Sequence, residues 1–184
     1  MDLLKAVNSI LPKLGEHPVT SVEAKSPTLA VVLPQLEETR AALLLSGWWF
    51  NEYPTTLYPD GAGGIAVPDD MLSFVPCERI HMIQRGAAFF NGSTRSFKFD
   101  GPVEGTLTTD VPFEELPESA AQYVLYSALV IIYATDIGFE DVVRMWSARA
   151  ADALASMELE HLKQKKFTIK TSKRYRNLRR AMRF

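Results

Sequence analysis

Apolar residues recur every three to four positions near both ends of the chain and alternate with polar ones through its middle. Leu3, Leu4, Val7, Ile10, Leu11 and Leu14 form one helical stripe over residues 2–14. Gly15 is placed as its C-cap, and Pro18 blocks any continuation. A polar link over 20–26 leads to a second predicted helix, opened by Ser26 as N-cap with Pro27 in the first turn. Its stripe is Leu29, Val32, Leu33, Leu36, Leu43 and Leu44, and Gly47 ends it. Pro34 lies inside that stripe and predicts a kink or a restart, since proline removes a backbone donor and crowds the preceding turn.

From Trp48 to Val111 the pattern changes to short alternating runs rich in Gly, Pro, Thr and aromatics. These predict strands over 48–57, 71–75, 81–85, 87–91 and 103–108. Turn residues punctuate them at 60–64, at Asn91-Gly92 and at Asp100-Gly101, and the runs around Gly86 resemble successive hairpins. Helical periodicity returns after Pro117. Residues 119–137 are apolar almost all round, which places that helix centrally. Residues 139–164 carry the stripe Val142, Trp146, Ala150, Ala153 and Met157. The pattern therefore predicts an α+β fold. Two N-terminal and two C-terminal helices (1–47 and 114–162) form a bundle, residues 48–113 form an inserted small antiparallel β region, and 163–184 form a basic C-terminal arm.

Charge sharpens this division. Residues 161–184 hold ten Lys or Arg and no acid, whereas residues 1–160 hold the other ten bases against all 22 acids, a net charge of −12. A single-sign field of this kind steers association with an oppositely charged surface. The ten bases are Lys163, Lys165, Lys166, Lys170, Lys173, Arg174, Arg176, Arg179, Arg180 and Arg183. Three readings fit them: a solvated terminus, a set of phosphate neutralisers on nucleic acid, or an arm that orders on a neighbouring protein. Fully extended, the segment reaches on the order of 80 Å, enough to cross onto another molecule. The single cysteine, Cys77, excludes an internal disulfide framework and a cysteine-based zinc site, and fits a reducing compartment. The N-terminus is broken by Asp2, Lys5, Asn8 and Lys13, unlike a signal peptide. The longest uncharged run, 119–135, contains Gln122, tyrosines and serines and reads as a buried helix, so no membrane partner is expected.

Candidate chemistry is sparse. The glycines at 61, 63 and 64 lack a following Lys-Ser/Thr and an opening helix, so they read as a hairpin loop rather than a phosphate cradle. His17, His81 and His161 have no metal-ligand spacing, and neither metal nor cofactor is expected. The pairs Asp69-Asp70 and Glu114-Glu115 are the one arrangement that suits glycoside cleavage. Adjacent residues point apart, so an acid–base couple needs one carboxylate from each pair, Asp70 and Glu115 being the ones to replace. Their other reading is as turn acids and helix-start acids. Trp48, Trp49 and Phe50, if in a strand, alternate between faces, and the exposed member serves either a loop-covered core or a protein interface.

Two blocks of residues carry a resemblance. Residues 6–11 (Ala-Val-Asn-Ser-Ile-Leu, with Asn8), followed by Gly15-Glu16-His17-Pro18-Val19, resemble the opening of the tail tubular protein A family, the head-to-tail adaptor or gatekeeper proteins of short-tailed bacteriophages. The block Gly47-Trp48-Trp49-Phe50-Asn51 is similar to the one that ends the second helix in that family. Leu57-Tyr58-Pro59-Asp60 and residues 67–73 resemble the segments that follow. The resemblance spans roughly residues 6–162. It implies a helical bundle bearing a β region, assembled as a dodecameric ring between the portal protein and the tail nozzle (a tail tubular protein B type), with double-stranded DNA passing through the channel. It implies a structural, non-enzymatic role in the virion and assembly in the host cytoplasm. Some relatives are proposed to degrade polysaccharide, but no residue set in this chain matches a catalytic motif. The alternative from the residues alone is a small single-stranded nucleic-acid-binding protein that uses the basic tail.

Overall fold

Asp2 opens the first helix: its backbone is extended (φ −80°, ψ 143°) and its carboxylate accepts the Leu4 amide at 3.3 Å. The computed structural model describes residues 1–136, 138 and 141–165. Helix α1 spans Leu3–Ile10 and buries Ala6, Val7 and Ile10. Residues Leu11–Leu14 then tighten into a 3-10 turn, so the single helix expected over 2–14 divides where Pro12 enters. Proline cannot donate to the carbonyl four residues back, and the shorter turn accommodates it. Gly15 caps the turn in the left-handed region (φ 82°), its amide reaching the Pro12 carbonyl at 3.2 Å.

Helix α2 spans Leu29–Leu44. The expected Ser26 side-chain cap is not its N-terminus. Thr28 precedes the helix in helical geometry without a side-chain cap bond, while Ser26 contributes its carbonyl to the Ala30 amide at 3.2 Å. The helix does not restart at Pro34. Leu29, Val32, Leu36, Leu43 and Leu44 are buried on both sides of the proline, and that common packing holds the two halves in one element.

The strands are β1 Glu52–Leu57, β2 Met71–Pro76, β3 Met82–Arg85, β4 Ala88–Asn91 and β5 Val103–Thr109. Their positions agree with the alternating runs to within a residue, except that residues 48–51 form a turn and β1 starts only at Glu52. Strand β5 lies between β1 and β2, antiparallel to both, with Glu52 opposite Thr108, Leu57 opposite Val103 and Phe74 opposite Leu107. A bulge interrupts β2 between Met71 and Ser73. Strands β3 and β4 form a separate hairpin, closed by Gly86 at a positive φ of 64° that a two-residue hairpin turn commonly requires.

Helix α3, Glu118–Asp136, buries Ala120, Ala121, Val124, Leu125, Ala128, Leu129 and Ile132, and α4, Asp141–Gln164, runs against it. Tyr133 of α3 meets Trp146 of α4 edge-on at 5.0 Å. The helices share one core. A second, smaller core of Ile65, Phe89, Phe99 and Val103 lies in the β region. The observed class is α+β, as the pattern implies. No described helix is long and apolar enough to cross a membrane. Lys166, Lys170, Lys173, Arg174, Arg176, Arg179, Arg180 and Arg183 lie outside the described residues, as do Ile137, Phe139 and Glu140.

Candidate assembly surface

Asn51 joins the helices to the sheet. It is fully buried, and its Nδ2 donates to the Leu44 carbonyl at the end of α2 and to the Thr109 carbonyl at the end of β5, both at 3.0 Å. Its Oδ1 accepts the Trp48 amide at 2.8 Å, closing the turn over 48–51, and its backbone carbonyl accepts the Thr109 amide at 2.9 Å. These bonds end α2, turn the chain and set the register of β1 on β5. Gly47 makes the turn geometrically accessible: its φ is 70°, and a Cβ there would collide with the Glu52 carboxylate.

The turn brings Trp48, Trp49 and Phe50 together instead of alternating them across a strand. All three are half-buried and pack on the helical core, with Trp48 Nε1 donating to the Leu43 carbonyl at 2.9 Å. His161 of α4 stands beside both indoles, its ring 5.5 Å from Trp48 and 6.2 Å from Trp49, and its Nδ1 accepts the Trp49 amide at 3.2 Å. One turn further on, Lys165 donates to Glu52 Oε1 at 2.6 Å. The last described turn of the chain is thus tied to the helix–sheet junction, and residues 166–184 continue from that point. Lys163 lies in the last turn of α4, where its charge complements the helix dipole.

Arg40 makes a second tie. It is 6% exposed, and its guanidinium contacts both Glu37 carboxylate oxygens, Asp110 Oδ1 at 2.6 Å and the Val111 carbonyl. The hydrogen bonds it donates to Glu37 and then Asp110 push its pKa above the already high arginine value, outweighing the opposing effect of burial. Beside this clamp lies a groove of about 500 Å³ between α1, α2 and the 3-10 turn Phe113–Glu115. Leu3, Val22, Leu33, Pro34 and Phe113 line it, and Glu37 and Glu114 supply exposed carboxylates. Arg40 balances only one of the two acids it touches, so the groove is apolar inside and acidic around.

The remaining motif residues order loops. Asn8 holds the segment after Gly15 through Nδ2 to the Val19 carbonyl at 2.9 Å and Oδ1 from the Val19 amide at 2.8 Å, with Pro18 in the intervening turn. Glu16 accepts from the Thr28 hydroxyl at 3.3 Å. Asp60, after Pro59, accepts the Ala62 and Gly64 amides at 2.8 Å each, which makes the glycine run a side-chain-capped loop. Asp69 and Asp70 precede β2, and Glu114 and Glu115 lie in the 3-10 turn. Among the described residues no group of His, Cys, Asp or Glu is arranged to hold a metal ion.

The model of the family described as tail tubular protein matches residues 4–167, which takes in both ties and runs from the first turn of α1 past the end of α4. The chain belongs to the tail tubular protein family. It is 29% identical over 180 residues to Tail tubular protein A of Klebsiella phage KP34, with 97% of this chain and 96% of the relative aligned. As a tail tubular protein it is a structural component of a bacteriophage tail, and hence of the virion.

Some connections in this tail tubular protein join residues that no sequence motif marks. Arg40 continues the buried stripe at Leu36–Arg40–Leu44, an i, i+4 series that marks it as a buried charge needing partners. His161 and Lys165 likewise continue the α4 series from Met157 at spacings of four. Periodicity holds those signals, but Glu37, Asp110, Trp49 and Glu52 as their partners are legible only in three dimensions.

Proposed function

We propose that this protein is a ring-forming head-to-tail connector that joins the portal protein to the tail nozzle and forms part of the DNA channel. The observation that carries this reading is the near end-to-end likeness to a Tail tubular protein A, without a large insertion or missing half. The ring, a dodecamer, is held by heterologous contacts in which each subunit offers two different surfaces. The role is structural rather than enzymatic: Asp69, Asp70, Glu114 and Glu115 act as turn and helix-start acids. Subunits assemble in the host cytoplasm and remain at the head–tail interface of the virion.

The basic arm contacts the portal or a neighbouring subunit in this reading, and its exit beside the Gly47–Glu52 junction sets where it starts. Lys165 is held by Glu52 of its own chain, so a truncation that spares residue 165 removes the arm without disturbing that tie. Mass measurement and electron microscopy of the purified protein, with and without purified portal, test the assignment. The expected result is a ring that caps the portal, with capping weakened by deletion of residues 166–184 while thermal stability is kept. A chain that forms no oligomer in either condition, yet binds single-stranded oligonucleotides tightly and with steep salt dependence, overturns the connector in favour of a nucleic-acid-binding protein. Unchanged capping by the truncated chain removes the arm from the attachment.

A further inference from the structure

The β3–β4 hairpin carries a surface unlike the acidic body around it. Between Glu78 and Asp100 the chain places Arg79, Arg85, Arg95 and Lys98 and no acid. All four are exposed, and among the described residues none forms an ion pair. Strand alternation separates the two faces. Met82 and Phe89 turn to the small β core, and Ile83, Arg85 and Phe90 occupy the opposite face. There the Arg85 guanidinium lies 3.8 Å over the Phe90 ring, Phe90 meets Phe97 edge-on at 5.2 Å, and Phe97 is 49% exposed. A prearranged arginine–aromatic cluster with an open apolar edge has the composition of an interface anchor.

The complement of that anchor is on the same chain. The groove beside Arg40 has an apolar floor, a volume of about 500 Å³ that admits an aromatic side chain, and carboxylates from Glu37 and Glu114. We propose that the β3–β4 face of one copy docks in the α1–α2 groove of a second copy, Phe97 entering between Val22 and Phe113 and the hairpin bases facing Glu37 and Glu114. Knob and socket are different surfaces, so the contact is heterologous and repeats from copy to copy around a ring. The inference rests on the ring-forming reading above and names one interface within it. Duplex DNA explains the hairpin face less completely: phosphates match the cations but make no use of the exposed side of Phe97.

Paired cysteines test the contact. In a Cys77→Ser background, Val22→Cys combined with Phe97→Cys is oxidised in the purified protein and in assembled virus particles. The expected result is a disulfide-linked ladder beyond the dimer that neither single cysteine produces. In parallel, Arg85→Glu with Lys98→Glu, two exposed changes, is expected to raise the concentration needed for assembly at least about tenfold while leaving thermal stability in place. Rings that persist without a ladder and are indifferent to the charge reversal overturn the docking and leave the ring reading standing. A chain that is monomeric in solution and gives no ladder in particles overturns both. Loss of duplex-DNA binding in the charge-reversed variant, with assembly unchanged and no ladder from the cysteine pair, overturns it in favour of a DNA-contacting hairpin.

Discussion

The Asn51 side chain makes three hydrogen bonds in a site with no access to water, so its amide has no isosteric substitute. Asn51→Ala strands the Leu44 and Thr109 carbonyls and the Trp48 amide, and is expected to cost about 3 kcal/mol or more, read as a fall in the midpoint of denaturant unfolding. Asn51→Asp fails differently: the carboxylate keeps the Trp48 bond but sets a negative oxygen against two carbonyls. At Arg40 the cost is smaller, because Glu37 and Asp110 remain 61% and 44% exposed and regain water when the guanidinium is removed. Arg40→Met should destabilise by about 2 kcal/mol in the same measurement, since mainly the Val111 carbonyl and the packing around the side-chain stem are left unsatisfied. The raised Arg40 pKa means that its charge, and the stability it contributes, persist at every pH below the unfolded arginine value and are lost only in extreme base. Sequence showed these residues unequally. Asn51 stands in the block that carries the family resemblance, but its partners Leu44, Trp48 and Thr109 span helix, turn and strand, and no local pattern links Leu44 to Thr109.

At the scale of elements, the helix stripes and the alternating strands located all four described helices and all five described strands. The misplacements came where one side chain redirects the backbone. Pro12 converts the end of the first helix to a 3-10 turn, and Asn51 withholds 48–51 from β1, so Trp48 and Trp49 share one side of a turn. Central strand β5 shows a converse case, in which a neighbour dictates the residue. Gly105 lies beneath Phe74, and a Cβ there would stand 2.6 Å from the ring's Cε2 and 2.7 Å from the Val75 carbonyl oxygen. The ring can rotate away but the backbone carbonyl cannot. Gly105→Ala is therefore expected to destabilise by about 2 kcal/mol and to be only partly relieved by Phe74→Leu, as thermal unfolding of the single and double variants will show. At the end of α4, His161→Ala removes the acceptor for the Trp49 amide and the edge contacts with both indoles. The expected signature is a change in tryptophan fluorescence with a loss of about 1 kcal/mol, and freer proteolysis after Lys165.

For the whole molecule, the arrangement places the start of the basic arm at the helix–sheet junction, where among the described residues His161–Trp49 and Lys165–Glu52 tie the end of α4 to the body. Glu52→Gln should leave the fold intact, because an ion pair this exposed contributes at most about 1 kcal/mol. On the connector reading the same change loosens the arm's origin and lowers portal capping, measured by co-sedimentation with purified portal. Raising ionic strength should weaken capping by the native protein more than by a chain truncated after Lys165, since the truncation removes eight of the ten bases of 161–184. Sequence by itself determined the class of the fold, the order of its elements and the segregation of charge, because hydrophobic periodicity, turn residues and ionisable side chains are local properties of a chain. It also carried the family, through the short blocks at 6–19 and 47–51, which lie within the residues 4–167 that the family model matches. Only the tertiary structure decided that Arg40 meets Asp110, that Asn51 bridges α2 and β5, that Lys165 lies beside Glu52, and that Arg85 stacks on Phe90 while a groove edged by Glu37 and Glu114 opens beside Arg40. Most of these join residues distant in sequence, and their proximity is set by which apolar faces must be buried together rather than by any pattern along the chain.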